Sequence, residues 1–411
     1  MRISTSHIFD TGVRNMARAQ AEVARAQEQI SASTRILSPA DDPAGAAIAL
    51  GIRQEKARSA QYLRNADLAE NDLRQQDLVL ESVGNVLLRV KDLALQANNA
   101  TLTASERATI VSALNGAGED LLALFNARSA SGDYLFAGNA ADQAPFVVAS
   151  NGQLVYRGDD EARRVDVGDG VALRSRDSGR NLFVDVPAAA PTFVTRADAT
   201  NRGSGAVSAG RVVDPAAYAG VYPDDIVVRF SNPPGTYIVS SVDQASGAIT
   251  RERPRTAYTP GEPLTVTILG VEVTLTGNPV PGDEFILEAH ETEPIALTVQ
   301  RLAQGLAAAP DTPQGASERA QVVATALAGL DSALQSLSGR RADAGTRLAR
   351  LDDLRTEQRA VDLANDELAS DLVDLDVEEA ASRLAFHTLV LQAAQQSLAK
   401  VAGLSLFSFL R

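Results

Sequence analysis

The chain has 411 residues, a formal net charge of -14, and neither cysteine nor tryptophan. Its length allows two or three domains with real cores, and its acidic balance argues against nucleic acid or an anionic membrane surface as the main partner, because both are held by basic surface. Without cysteine there are no disulfides, thiolate zinc sites or cysteine nucleophiles.

Only three lysines stand against thirty-five arginines, which suits side chains that flank packed helices and pair with carboxylates. The first twenty residues hold no apolar run of the roughly seven or more residues that a secretory signal needs. No stretch approaches the roughly 20 apolar residues of a membrane span. The expectation is a protein that, if exported, leaves without a cleaved signal peptide.

In chain order, Val13, Met16, Gln20, Val23, Gln27, Ile30, Thr34 and Leu37 keep a three-four spacing that predicts a helix with one stripe. The segment Ile36 to Gly45 carries two prolines and paired aspartates, which stop one helix and begin another. Asp42 is the expected N-cap, with Pro43 at the first helical position. A heptad then runs through Gly45, Ile52, Ser59, Ala66, Leu73, Leu80, Leu87 and Ala94, accompanied three residues on by Ile48, Glu55, Tyr62, Ala69, Gln76, Val83, Val90 and Ala97. Gly45 to Ala97 is 53 residues, a helix of about 80 Å at 1.5 Å per residue. Thr103 and Glu106 form a capping-box pattern, and Ile110, Leu114, Ala117, Leu121 and Phe125 mark a shorter helix that folds back.

From Pro145 to Glu293 the chain holds 12 of its 17 prolines and alternates in short apolar runs. This predicts a β-rich insertion, a sandwich or partial barrel, opened by a hairpin at Asn151-Gly152. Helical spacing returns at Leu302 and Leu306. A series of sevens follows, Leu330, Leu337, Ala344, Leu351, Gln358, Asn365 and Leu372, joined from Leu354 onward by Val361, Leu368 and Leu375. Ser317 to Ser370 reads as a second long helix of 54 residues, lying beside the first. The last helix carries the stripe Val377, Ala380, Leu384, His387, Leu391, Ala394, Leu398 and Val401, which needs a covering partner, and the N-terminal stripe is the candidate.

The expected architecture is α+β and nested. An N-terminal assembly helix, residues 1–40, pairs with the C-terminal helix and tail, 377–411. Residues 41–144 and 294–376 are the two halves of a long antiparallel bundle, and 145–293 is the inserted β domain. The assembly seam is Val13, Met16, Val23, Ile30 and Leu37 with Val377, Leu384, His387, Leu391, Leu398 and Val401. The apolar tail Leu404, Leu406, Phe407, Phe409 and Leu410 is read as an intermolecular contact rather than one folded back on its own helix.

Chemistry is sparse. His7, His290 and His387 fall in three separate segments, so no histidine pair has metal-ligand spacing, and His387 lies on the stripe as a packing residue. Gly203 to Gly210 has the glycines of a phosphate loop without its Gly-Lys-Ser/Thr. Asp41-Asp42 and Asp374, Asp376, Glu378, Glu379 read as helix N-termini favoured by negative charge rather than as a cation site. No catalytic residue, cofactor or metal is expected.

Arg2-Ile3-Ser4-Thr5, Arg35-Ile36-Leu37-Ser38-Pro39-Ala40-Asp41-Asp42-Pro43-Ala44-Gly45, Tyr134-Leu135-Phe136-Ala137-Gly138, and the C-terminal run from Leu391 through Phe407 together resemble the flagellin superfamily, and within it the hook-filament junction proteins more than filament flagellin. The resemblance covers roughly the first 150 and last 100 residues and is absent from the β region. It implies a secreted structural subunit, exported by the flagellar type III apparatus with an FlgN-type chaperone. Copies would assemble into a ring between the other junction protein, FlgK, and the first flagellin. Filament flagellin is the alternative within the superfamily. From a different class, the alternative is a surface adhesin or an enzyme with its activity in the β insertion.

Overall fold

The computed structural model describes residues 5–409 apart from 100, 150 and 151, and no side chain is described for residues 5, 6, 8, 9 and 401–409. The helices are α1 Thr5–Ala32, α2 Pro43–Ala97, α3 Ala104–Phe125, α4 Pro215–Ala219, α5 Ile295–Ala308, α6 Pro313–Val373 and α7 Val377–Phe409. The chain divides into two units, Met1–Arg64 with Asp353–Arg411, and Asn65–Asp352. Both α2 and α6 contribute to each unit, so the division falls inside the long helices rather than at the boundaries 41 and 376 expected from helix breaks.

In the unit Asn65–Asp352, the heptads place Leu80 and Leu87 of α2, Leu114 and Leu121 of α3, Leu302 and Leu306 of α5, and Leu330 and Leu337 of α6 in one core. Each of these leucines contributes about 1.5–3 kcal/mol when removed from water. α3 starts at its capping box: Thr103 Oγ1 accepts the Glu106 N–H at 3.3 Å and Glu106 Oε2 accepts the Thr103 N–H at 2.8 Å. α2 has 55 residues and α6 has 61, the latter extended because Pro313 opens the helix instead of preceding it.

The segment Tyr134–Gly138 is a buried turn. Phe136 O accepts the Gly179 N–H at 2.8 Å, and Gly138, at φ +64°, passes so close to Asp159 O that an added Cβ would stand 2.4 Å from it. Strands β1 Phe146–Val148 and β2 Leu154–Tyr156 form the expected hairpin, with Phe146 opposite Tyr156 and Gly152 at φ +78°. Asn151 lies outside the described residues. A second hairpin joins β3 Arg163–Gly168 to β4 Val171–Arg176.

This part departs from the expected single β insertion. Phe146, Leu182 and Phe183 belong to the helical core, with Phe183 stacked on Phe125 at 4.1 Å and edge-on to Phe136 at 5.0 Å. A separate β core begins only at β5 Pro187–Ala197. The strands that follow are β6 Ala206–Val207, β7 Arg211–Val212, β8 Asp225–Ser231, β9 Thr236–Val242, β10 Ile249–Glu252, β11 Thr256–Ala257, β12 Leu264–Ile268, β13 Val271–Thr276 and β14 Glu284–Thr292. One sheet runs β10-β9-β8-β14-β5 with β11 also on β9, the other β12-β13-β6 with β7 also on β13. Their inner faces share a core of Phe193, Val228, Val239 and Phe285 against Val207, Val266 and Val273, the arrangement of a sandwich. Its two ends meet, because the Glu293 N–H donates to Val186 O at 2.7 Å.

In the other unit α1 lies antiparallel to α7, and the end of α6 crosses to the start of the turn after α1. α1 ends at Ala32, followed by Ser33 at φ +55°, so Thr34 and Leu37 stand beyond the helix they were expected to extend. On α2 and α6, Ile48, Val361 and Leu368 are exposed rather than seam residues.

Candidate assembly interface

Paired aspartates and prolines make the turn Ser33–Gly45 by satisfying its backbone. Asp41 Oδ2 accepts the N–H groups of Leu37 at 3.0 Å and Ser38 at 2.9 Å, and Asp42 Oδ1 caps α2 by accepting the Gly45 N–H at 2.9 Å. The Ser38 amide holds the Asp41 carboxyl below the usual carboxylate range, aided by Leu37 and the paired Arg25. The Gly45 amide does the same for Asp42, with Arg35 adding to it. Gly45 is buried with no room to spare, since a Cβ there would stand 2.9 Å from Ile36 Cδ1. A backbone bridge ties this turn to the end of α6: the Arg35 N–H donates to Val373 O at 2.8 Å, and Arg35 Nη2 reaches Leu372 O at 2.8 Å.

At the matching break before α7, Asp376 Oδ1 accepts the Glu379 N–H at 3.1 Å, and Asp374 accepts the Ser370 hydroxyl at 2.5 Å. Asp376 thus caps the N-terminus of α7, whereas Asp374 stands just past the end of α6 and is bound to a side chain of that helix's last turn. Among the described residues no group of three or more histidine or acidic side chains could hold a metal ion.

The seam between α1 and α7 is built from small residues. Ala19 and Ala26 of α1 and Ala380 of α7 are buried, with Met16, Val23, Ile30, Leu384, His387, Leu391, Ala394 and Leu398 half-buried around them. Gly12 meets Leu398 so closely that a Cβ would lie 2.9 Å from Leu398 Cδ1. Val13 is 37% exposed and Val377 59% exposed, so both leave the expected seam, and the α1 stripe positions Gln20 and Gln27 are exposed as well. Their places are taken by Gly12, Ala19 and Ala26, one residue back, because small side chains let the helix backbones approach. Leu37 is half-buried in the turn instead of on α1. The side chains of Val401, Leu404, Leu406, Phe407 and Phe409, and Leu410 altogether, lie outside the described residues.

Sequence reading missed a second apolar face on α7. Phe386 is 62% exposed and Leu389 64% exposed, with Val390 beside them, on the side of α7 turned away from the seam. The i, i+3, i+4 spacing of these three residues was the available signal. His387 sits between the faces, its ring 5.7 Å from that of Phe386.

With this geometry in view, comparison with known proteins places residues 3–141 in the bacterial flagellin N-terminal helical region. The chain is similar to members of the flagellin superfamily. Within it the similarity is to flagellar hook-associated protein 3, FlgL. The chain is 28% identical to flagellar hook-associated protein 3 of Salmonella typhimurium over 219 residues, 49% of this chain and 69% of that protein. With the Escherichia coli protein of the same name it is 31% identical over 146 residues, 36% of this chain and 46% of that protein, less than two thirds of its length. The crystal structure of hook-associated protein 3 from Legionella pneumophila superposes with a TM-score of 0.53 at 26% identity, covering 78% of this chain and 98% of that one.

Proposed function

We propose that the chain is a structural subunit of the bacterial flagellum, forming the junction between hook and filament. Copies self-assemble into a ring or helical tier, contact an FlgK-type junction protein on one side and flagellin on the other, and reach the cell exterior through the flagellar export apparatus with an FlgN-type chaperone. Its role is structural, not catalytic. The observation that carries this reading is the apolar face of α7 at Phe386, Leu389 and Val390, which a single chain leaves open to water. An open row of large apolar groups on a helix whose other face is already paired is a surface for association. The half-buried seam residues, Leu391 among them, support the same reading by holding α7 against α1.

The test is complementation of a strain from which the gene has been deleted. The deletion is expected to give hooks without filaments and flagellin shed into the medium, and the intact gene to restore filaments. Filaments growing normally without the gene would contradict the proposal.

A further inference from the structure

Within the unit Asn65–Asp352 a buried polar cluster takes no part in the α7 surface. Gln76 is 1% exposed in a row otherwise made of Ala69, Val83 and Val90, and Arg347 is buried on α6 between Ala344 and Leu351. Both converge on Asp177, just past β4. Asp177 Oδ2 accepts from Gln76 Nε2 and from Arg347 Nη2, each at 2.7 Å, and Gln76 Oε1 accepts the Asp177 N–H at 3.0 Å.

The apolar seam alone discriminates registers weakly. Leucines recur every seven residues at 73, 80 and 87 on α2 and at 330 and 337 on α6, so a slide of one heptad, about 10 Å, returns leucine to leucine. In the slid arrangement Asp177 can stay with only one of Gln76 and Arg347, and the other loses its bond to that carboxylate in a buried site, Arg347 then keeping the longer contact to Asp343 of its own helix at 3.8 Å. We infer that Gln76, Asp177 and Arg347 lock the register of α2 against α6, with Asp177 the clasp that holds both helices.

Because the chain has no cysteine, the register can be read by paired thiols. Lys91 and Asp331 are in contact at 2.5 Å, so Lys91→Cys with Asp331→Cys reports the native register. Lys91→Cys with Ala324→Cys or Ser338→Cys reports a slide of seven residues either way. After refolding and oxidation, only the native pair should cross-link in the otherwise unaltered chain. In the background Gln76→Leu, Asp177→Leu, Arg347→Leu, helical content and cooperative unfolding should persist while a shifted cross-link rises at least tenfold. Native cross-links alone in that background would overturn the lock. Should the triple variant not refold, Arg347→Gln in the same thiol backgrounds decides, with a threefold or greater rise in shifted cross-link expected and no rise overturning it.

Discussion

Arg301 reaches from α5 to the sandwich with its guanidinium fully used. Nη1 donates to Glu293 Oε1 at 2.6 Å and Thr192 Oγ1 at 2.7 Å, Nε donates to Gly210 O at 3.0 Å, Nη2 reaches Phe193 O, and the group lies 4.6 Å from the Phe193 ring centre. The planar fork of arginine suits this set of carbonyls as lysine would not. Replacing it with alanine strands Glu293 in a mostly buried site and should cost about 3–5 kcal/mol, read by urea unfolding; a loss below 1 kcal/mol would mean water takes over its bonds. Asp41 and Asp42 carry a pH dependence of definite sign. Their folded-state pKa values lie below the ordinary 3.8, so their contribution is present above that pH and lost as pH falls through the lower folded values. Carboxyl carbon NMR should give both midpoints below 3.8, and a midpoint at or above it would deny the amide bonds seen here.

At the scale of elements, legibility followed hydropathy contrast. Every member of the α2 series from Gly45 to Ala94 is buried, because Leu against Arg or Asp marks the phase in each turn. On α1 the phase is carried by Gly12, Ala19 and Ala26, and alanine contrasts too little with its neighbours to outvote Val13. Phe146 and Phe183 gave no local sign that they join the helical core, since each meets Phe125 of α3 only after an intervening stretch of non-helical chain folds back. The alanine seam also predicts unequal stability. Among its described side chains α1 buries only small ones, whereas α3 and α5 enclose whole leucines, so amides of Met16 to Ile30 should exchange much faster in the dilute monomer than those of Leu114 to Phe125. Equal protection in both segments would show that the α1–α7 pair is a core in its own right.

For the whole molecule, the meeting of Val186 and Glu293 makes the sandwich a removable insertion. Excising Pro187–Thr292 and joining the ends through a short Gly/Ser turn should leave a folded helical unit, because loop closure over so small a gap costs little. A cut from Pro145 to Glu293, which the change in sequence character first suggests, removes Phe146, Leu182 and Phe183 from the helical core and should unfold it. Melting of the two truncations, followed by each one's capacity to support filaments, separates these outcomes. If the shorter excision also fails to fold, the sandwich is integral to the helical unit rather than inserted in it.

The central claim is that the outer face of α7 exists for assembly, and it is tested most directly by the double variant Phe386→Asp, Leu389→Asp. Both side chains are more than 60% exposed in the single chain, so charge there leaves nothing buried and the melting temperature of the purified monomer should stay within about 2 °C of the unaltered protein. In cells lacking the native gene, the variant should be exported in normal amounts, remain in the medium and leave hooks bare in electron micrographs. Filaments of normal number on cells making only this variant would contradict the account.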